Sequence, residues 1–217
     1  DVTSLIAFSS DTVLAGLQKS NDRDSVFLYK TTDAGYTWQP MQYDSTAWSV
    51  MDLVPASVSG DTLYANSWES IYRSNDAGTH WKKLYSSKYY INFVEVSGKA
   101  KSRILAGGHT GFNAGFILRS ADEGTTWSED INADNQYQDA VFFPDHPDTA
   151  FAVTTAEIKK TVDGGKNWYN TLGVGGNYIF SSIASSDKEN NTLYAGGSGD
   201  DLALYTSENY GDKWRKI

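Results

Sequence analysis

The stretch Thr31-Thr-Asp33-Ala-Gly35-Tyr-Thr-Trp38 is the first of five copies of one pattern, which we call the octet. Each octet has a hydroxyl residue first, Asp or Asn third, Gly fifth and Trp eighth. Successive octet Trp residues are 43, 46, 41 and 46 residues apart, so the whole chain is one array of a single repeated unit. The other octets are Ser74-Asn-Asp76-Ala-Gly78-Thr-His-Trp81, Ser120-Ala-Asp122-Glu-Gly124-Thr-Thr-Trp127, Thr161-Val-Asp163-Gly-Gly165-Lys-Asn-Trp168 and Ser207-Glu-Asn209-Tyr-Gly211-Asp-Lys-Trp214.

The residue types of the octet predict a tight turn between two strands. A short Asp or Asn side chain accepts hydrogen bonds from backbone N–H groups two residues on, and the following Gly supplies a positive φ. The Trp opens the next strand, where its ring covers the hairpin and its indole N–H reaches a carbonyl. We therefore expect a structural role for Asp33, Gly35, Trp38, Asp76, Gly78, Trp81, Asp122, Gly124, Trp127, Asp163, Gly165, Trp168, Asn209, Gly211 and Trp214.

Three short strand-like segments precede each octet. One ends in a shared Ala, as in Asp61-Thr-Leu-Tyr-Ala65, and the earliest is a continuous apolar run such as 91–96. Four strands per unit predict an all-β fold, a five-bladed β-propeller of four-stranded antiparallel blades in a single domain, 1–217. Blades five and one would close the ring; alternatively, the chain is part of a longer array, or two chains complete one ring. The expected blades are 1–46, 47–88, 89–135, 136–176 and 177–217.

The octets resemble Asp-box repeats, also called BNR repeats, of sialidases, sortilin-type receptors and xyloglucan hydrolases. The resemblance covers all 217 residues, and only Asn209 departs from it, with Asn in place of Asp. It implies that each octet lies between the third and fourth strands of a blade, away from the ligand-binding face. It also implies a secreted, periplasmic or cell-surface protein.

Composition narrows the partners and cofactors. Eighteen basic against 27 acidic residues give a net charge of −9, which opposes nucleic acid binding. No apolar stretch reaches the length of a membrane span. The absence of Cys excludes disulfides and thiolate zinc. Because His80, His109 and His146 are scattered, we expect no metal site and no cofactor.

Enzymatic activity is the alternative function. Two of the five arginines, Arg73 and Arg119, share the position before an octet, which we interpret as a solvated strand position; an arginine cluster of the sialidase kind is therefore not expected. A glycoside hydrolase would need two carboxylates across one bond. The candidates are Asp52, Glu95 and Asp139 in the first strands, with Asp52 and Asp139 on one strand face and Glu95 on the other. Otherwise they are hydrogen-bonding residues beside the channel.

Recognition is the function that we expect first. Aromatic residues open the first strand of four blades and would line the channel mouth or plug it. Loops between the second and third strands vary in length, which is typical of binding loops on a repeated scaffold. The chain is thus predicted to be a noncatalytic module that binds carbohydrate or a protein surface, or a structural subunit that self-associates. The candidate binding residues are Trp48, Tyr90, Tyr137, Tyr178, Arg23, His109 and Asn113.

Overall fold

The computed structural model describes residues 1–18, 27–42, 49–56, 60–98, 103–111, 114–132, 135–144, 146–173, 179–186, 191–199 and 203–217. Within these ranges the regular elements are all β-strands, and they form five four-stranded antiparallel sheets. Each sheet is a meander of four consecutive strands, which confirms the predicted fold class and blade composition.

The strands follow the chain in groups of four, one group per blade. The first two blades contain β1 (Val2–Ala7), β2 (Val13–Leu17), β3 (Leu28–Thr31), β4 (Gln39–Pro40), β5 (Asp52–Pro55), β6 (Leu63–Asn66), β7 (Ser70–Ser74) and β8 (Lys82–Ser86). The remaining blades contain β9 (Tyr90–Val96), β10 (Ile104–His109), β11 (Gly115–Ser120), β12 (Ser128–Asn132), β13 (Tyr137–Phe142), β14 (Ala150–Thr154), β15 (Glu157–Thr161), β16 (Tyr169–Gly173), β17 (Ile179–Ser185), β18 (Leu193–Ser198), β19 (Ala203–Ser207) and β20 (Arg215–Lys216).

The chain divides into two compact units, Asp1–Val94 and Glu95–Ile217. In the first unit, apolar side chains of blades one and two share one core, for example Leu14, Leu28 and Leu53. In the second unit, Phe151 and Phe180 belong to a core shared by blades four and five. Burial between successive sheets therefore supplies the main hydrophobic stabilisation within each unit.

The octets form the turns between the third and fourth strands, as expected from their residue types. In the second octet the hydroxyl of Ser74 accepts the Gly78 N–H at 2.9 Å, and Asp76 Oδ1 accepts the His80 N–H at 2.8 Å. The same two kinds of bond recur in the fifth octet, where Asn209 Oδ1 accepts the Lys213 N–H at 2.9 Å. Asn therefore holds this turn as Asp does.

Two details of the turn differ from the prediction. The Asp side chain bonds the N–H four residues on, not two, because the chain needs a full reversal before an N–H faces the carboxylate. The residue before the octet Gly also has positive φ, for example Ala77 at 53° next to Gly78 at 84°. Two successive residues in this region suit the right-handed twist of a hairpin.

The octet Trp residues are structural where their bonds are defined. The indole N–H of Trp81 donates to the Gly78 carbonyl at 3.0 Å, and Trp127 makes the same bond to Gly124 at 3.0 Å. The bond recurs in the fourth and fifth octets. Each ring thus bridges its own turn, as the sequence predicted.

Within each unit, successive blades meet through a repeated joint between an octet glycine and the side chain just before the shared Ala, which we call the pre-alanine side chain. A Cβ added to Gly78 of blade two would lie 2.9 Å from Leu14 Cδ2 of blade one. A Cβ on Gly165 of blade four would lie 2.7 Å from Leu105 Cδ2 of blade three. Gly211 of blade five packs in the same way against the Phe151 ring of blade four. The octet glycine therefore serves packing between blades as well as the turn.

A basic residue just before some octets reinforces the joint. Lys160 Nζ donates to the Tyr210 carbonyl at 2.6 Å and contacts Asp212 at 3.1 Å in the next octet. Lys30 Nζ donates to the Ala77 carbonyl at 3.3 Å in blade two. This corrects the expectation of a merely solvated position, because these ammonium groups satisfy carbonyls of the following blade.

Candidate functional site

The octets mark one end of each blade, which leaves the loops between the second and third strands at the other end. The Ala77 N–H of the second octet donates to the Asp61 carbonyl in the turn before β6 at 2.9 Å. Octet and first hairpin turn are therefore neighbours, and the loop from β6 to β7 lies at the opposite end of the antiparallel sheet. That loop contains Trp68.

Trp68 and Tyr90 form an exposed pair, which together with Met51 we call the aromatic notch. The two ring centroids are 5.6 Å apart and the rings are inclined at 76°, an edge-to-face arrangement. Trp68 is 43% exposed and Tyr90 is 40% exposed. The indole N–H of Trp68 is 3.0 Å from Met51 Sδ, which fixes the direction of the ring. The notch thus presents two nearly perpendicular apolar surfaces to solvent.

The backbone beneath the notch is held by hydrogen bonds from the segment that enters β9. The Trp68 carbonyl accepts the Ile91 N–H at 2.7 Å, and the Glu69 carbonyl accepts the Ser87 N–H at 2.7 Å. Fully buried Asn66 donates from Nδ2 to the Ile91 carbonyl at 3.1 Å. Because these bonds fix both chain segments, the notch is preorganised, and a ligand would not have to order it.

The structure separates the four predicted aromatic binding residues. Tyr90 is exposed in the notch, whereas Tyr137 is 2% exposed and lies 6.4 Å from the Trp168 ring. Tyr137 therefore offers no ring face to a ligand in this structure and fits the alternative of a packing residue. Trp48 and Tyr178 lie outside the described residues.

Among the predicted loop residues, only His109 is described, since Arg23 and Asn113 lie outside the described ranges. His109 ends β10 opposite Gly115 and is partly buried. Burial lowers the pKa of its imidazole, because the charged form loses hydration. The neutral ring is therefore favoured near pH 7.

Asp52 and Asp139 occupy equivalent positions, as the sequence predicted from their strand faces. Each pairs with the residue that follows the shared Ala, Asn66 for Asp52 and Val153 for Asp139. A bulge precedes Asp139 in β13 and breaks the regular pairing there. The carboxylates thus point along the joints between first strands.

Both carboxylates bind a serine of a neighbouring first strand. Asp139 Oδ2 accepts Ser182 Oγ at 3.1 Å and the Ile183 N–H at 2.9 Å, while Oδ1 accepts the Ala140 N–H at 2.8 Å. Asp139 therefore acts as a link between β13 and β17.

Asp52 makes the corresponding link in the first unit. Its Oδ1 accepts the Leu53 N–H at 2.8 Å and Ser4 Oγ at 3.3 Å. Burial raises the pKa of the Asp52 carboxyl, although these hydrogen bonds act in the opposite direction. Glu95, the third candidate, lies partly buried in β9.

The described ranges contain neither a metal-binding cluster nor a membrane-spanning helix. No group of three or more His, Cys, Asp or Glu residues there could hold a metal ion. No helix in that part of the chain is long and apolar enough to cross a bilayer.

Sequence reasoning missed Trp68, the more exposed member of the notch. The loop that carries it is short, whereas the predicted loop residues Arg23, His109 and Asn113 belong to longer segments between the shared Ala and the octet. A signal was nevertheless present: of seven Trp residues, only Trp48 and Trp68 lie outside the octets. Trp68 is therefore a residue that no repeat position accounts for.

Solved structures that match this chain include β-propellers of two kinds, GH74 enzymes and YCF48. An ancestral GH74 enzyme matches the whole chain with a TM-score of 0.79 and 16% identity, and this chain covers 31% of it. A GH74 xyloglucanase from Xanthomonas campestris matches 93% of the chain with a TM-score of 0.69 and 16% identity, covering 35% of that enzyme. YCF48 bound to D1 peptide matches 99% with a TM-score of 0.66 and 14% identity, covering 81% of YCF48.

These similarities define the chain as a protein of β-propeller fold. The chain spans about a third of the length of the two GH74 enzymes. No family model matches the chain, and no curated protein matches its sequence. At these identities the shared property is the fold, and the binding chemistry has to be inferred from the residues of this chain.

Proposed function

We propose that the protein is a secreted, noncatalytic recognition module that binds carbohydrate at the aromatic notch. The observation that carries the proposal is the exposed, edge-to-face pair of Trp68 and Tyr90 on a hydrogen-bonded backbone. Secretion is inferred from the resemblance of the octets alone.

The shape of the notch favours a sugar ring as ligand. One face of a pyranose is lined by C–H groups, which pack on an aromatic surface, while its hydroxyls extend outward to solvent and polar neighbours. Trp68 would supply the flat surface and Tyr90 an adjacent wall with a phenol group. Both side chains have only two rotatable χ angles, so little conformational entropy is lost on binding. Glu69 is exposed beside them and offers acceptors for sugar hydroxyls.

The absence of catalysis in this proposal is supported by the hydrogen bonds of Asp52 and Asp139. Each carboxylate accepts the N–H of the following residue and a serine hydroxyl from a neighbouring blade. A catalytic carboxylate must instead reach the substrate or its attacking water. These contacts fit a structural role better than that of an acid–base pair in a glycosidase.

The proposal is tested by probing a glycan and polysaccharide array with the labelled chain, followed by calorimetry on the strongest hit. We expect saturable binding that Trp68→Ala and Tyr90→Ala each weaken at least about tenfold, the loss of about 1.4 kcal/mol. Tyr36→Ala is the matched control, because Tyr36 is an exposed aromatic of the first octet and should bind like the wild type.

Three results would contradict parts of this proposal. A blank array, together with binding to an extended peptide library, would replace carbohydrate by a protein partner; YCF48, a structural neighbour, was solved with a peptide. A hit that survives both notch substitutions would move the site elsewhere. Turnover of the bound glycan, lost in Asp52→Asn or Asp139→Asn, would establish the glycosidase alternative.

A further inference from the structure

Successive blades pack through two different sheet faces. One face carries the pre-alanine side chain and meets the octet glycine of the next blade, and we call it the leading face. The other face carries the shared Ala with its partner on the first strand, and we call it the trailing face. In the core of the first unit, leading-face Leu14 and Leu28 share a cluster with trailing-face Leu53 and Ala65. At these joints within each unit, a leading face packs against a trailing face.

The trailing face of blade one is exposed at Leu5. Leu5 pairs with the shared Ala15 and is 60% exposed. The residues that pair with the shared Ala of three other blades are 4–5% exposed; they are Leu53, Ala140 and Ile183. Leu5 is therefore an apolar side chain at a position that is elsewhere a joint.

The leading face of blade five is uncovered as well. Its pre-alanine residue, Tyr194, is 40% exposed, whereas its four equivalents are 0% exposed; they are Leu14, Tyr64, Leu105 and Phe151. Leu204 is 42% exposed, whereas its equivalents are at most 2% exposed; they are Leu28, Ile71, Ile117 and Ile158. Both residues keep the apolar character of a joint without its burial.

Among the described residues, no pre-alanine side chain lies against the octet glycine of blade one. In that part of the chain, a Cβ added to Gly35 would have one atom within 4 Å, Trp38 Nε1 at 4.0 Å. In contrast, Gly78, Gly165 and Gly211 each approach a pre-alanine side chain of the preceding blade. Gly35 has a positive φ like these glycines. Its backbone therefore has the conformation of a joint glycine without the contact that the other three make.

We propose that the leading face of blade five binds the trailing face of blade one of a second copy of this chain. The surfaces are complementary, because each has the residue types that pack against the other kind at the joints within the chain. The Tyr194 side chain of one copy would pack against Gly35 of the other copy, as the Leu14 side chain packs against Gly78. This contact is heterologous, so both faces remain available for further copies. It is independent of the carbohydrate site.

The test is sedimentation velocity of the intact chain over a wide concentration range. We expect the wild type to rise from 23.9 kDa towards multiples of that mass. Leu5→Glu places a charge on the trailing face, and Tyr194→Asp places a charge on the leading face. Each variant alone should stay monomeric. A mixture of the two should form a species of twice the mass, because one joint is still intact. Ile131→Asp is the matched control, because Ile131 is an exposed apolar residue of blade three, and it should associate like the wild type.

Both substituted residues are exposed, and far-UV circular dichroism would establish that the variants are folded. A wild type that stays monomeric at all concentrations would overturn the proposal. Association that survives both substitutions would also overturn it. Failure here would leave glycan binding unchanged, so that this proposal and the proposed function fail separately.

Discussion

The octet side chains build their turn almost without help from the rest of the protein. In the second octet, the His80 N–H and then the His80 side chain hold the pKa of Asp76 at about 2. In the fourth, hydrogen bonds led by the Asn167 N–H lower the pKa of Asp163 to about 2, although burial acts against them. Asn209 accepts the same backbone bond without a charge. The chain therefore contains octets whose third residue is a titratable carboxylate and one octet, the fifth, whose third residue is an uncharged amide.

We expect acid to weaken the fold through these octets. A carboxylate with a lowered pKa stabilises the folded state above its unfolded pKa near 4, and this stabilisation is lost as the pH falls from about 4 to about 2. The double variant Asp76→Asn, Asp163→Asn should therefore lose less melting temperature than the wild type between pH 5 and pH 2. Asn209→Asp is the converse control and should lose more. Equal acid sensitivity of all three proteins would contradict the assignment.

The octet glycines provide a second prediction at this scale. Gly78→Ala should lower the free energy of unfolding by about 1–2 kcal/mol, because a side chain is placed at positive φ. Overpacking against Leu14 should lower it by a further ~1–3 kcal/mol. Gly35→Ala should lower the free energy of unfolding only by the cost of the positive φ, because no described side chain crowds its Cβ. Urea denaturation at low protein concentration measures the difference. Equal losses would mean that the joint does not depend on the glycine.

At the scale of the strand, hydrogen-bonded carboxylates join the first strands of neighbouring blades. Asp139 accepts one hydroxyl and one N–H from β17, and Asp52 accepts the Ser4 hydroxyl from β1. The strand position of both carboxylates was predictable from period-two alternation. Their partners were not, because a bulge before Ser182 and another before Asp139 set which side chains meet. A bulge has no reliable signal in one sequence.

The link between β13 and β17 should be measurable as a coupling. In a double-mutant cycle with Asp139→Ala and Ser182→Ala, we expect an interaction free energy of about 1 kcal/mol from urea denaturation. Ser181→Ala is the matched control, since Ser181 contacts the Gly196 carbonyl rather than the carboxylate. A coupling no larger for Ser182 than for Ser181 would contradict the link.

At the scale of the whole molecule, the repeat period was sufficient to predict the fold. Octet spacing and the shared Ala gave the number of sheets, their strand order and their turns, because each blade repeats the same local chemistry. The candidate site was less predictable. Tyr90 was found from its place at the start of β9, but Trp68 was not, since its contacts with Met51 and Tyr90 join three separate parts of the chain.

Net charge gives a further prediction at this scale. The chain carries −9, and the aromatic notch is apolar apart from exposed Glu69. Glycan affinity should therefore change by less than about twofold between 50 and 500 mM salt, since stacking is not screened. Labelled duplex DNA should give no anisotropy change at physiological salt, whereas a basic protein would bind it. Glycan binding that disappears with salt would indicate an ionic site elsewhere.

The packing of an apolar side chain on an octet glycine also has a consequence for the evolution of such a protein. Each joint depends on an octet glycine of one repeat and an apolar residue of the repeat before it, and every repeat of the gene supplies one residue of each kind. Recombination that adds or removes a whole repeat would therefore preserve every remaining joint, whereas a partial deletion would destroy one. We therefore expect proteins built from such repeats to differ in blade number and in the loops opposite the octets.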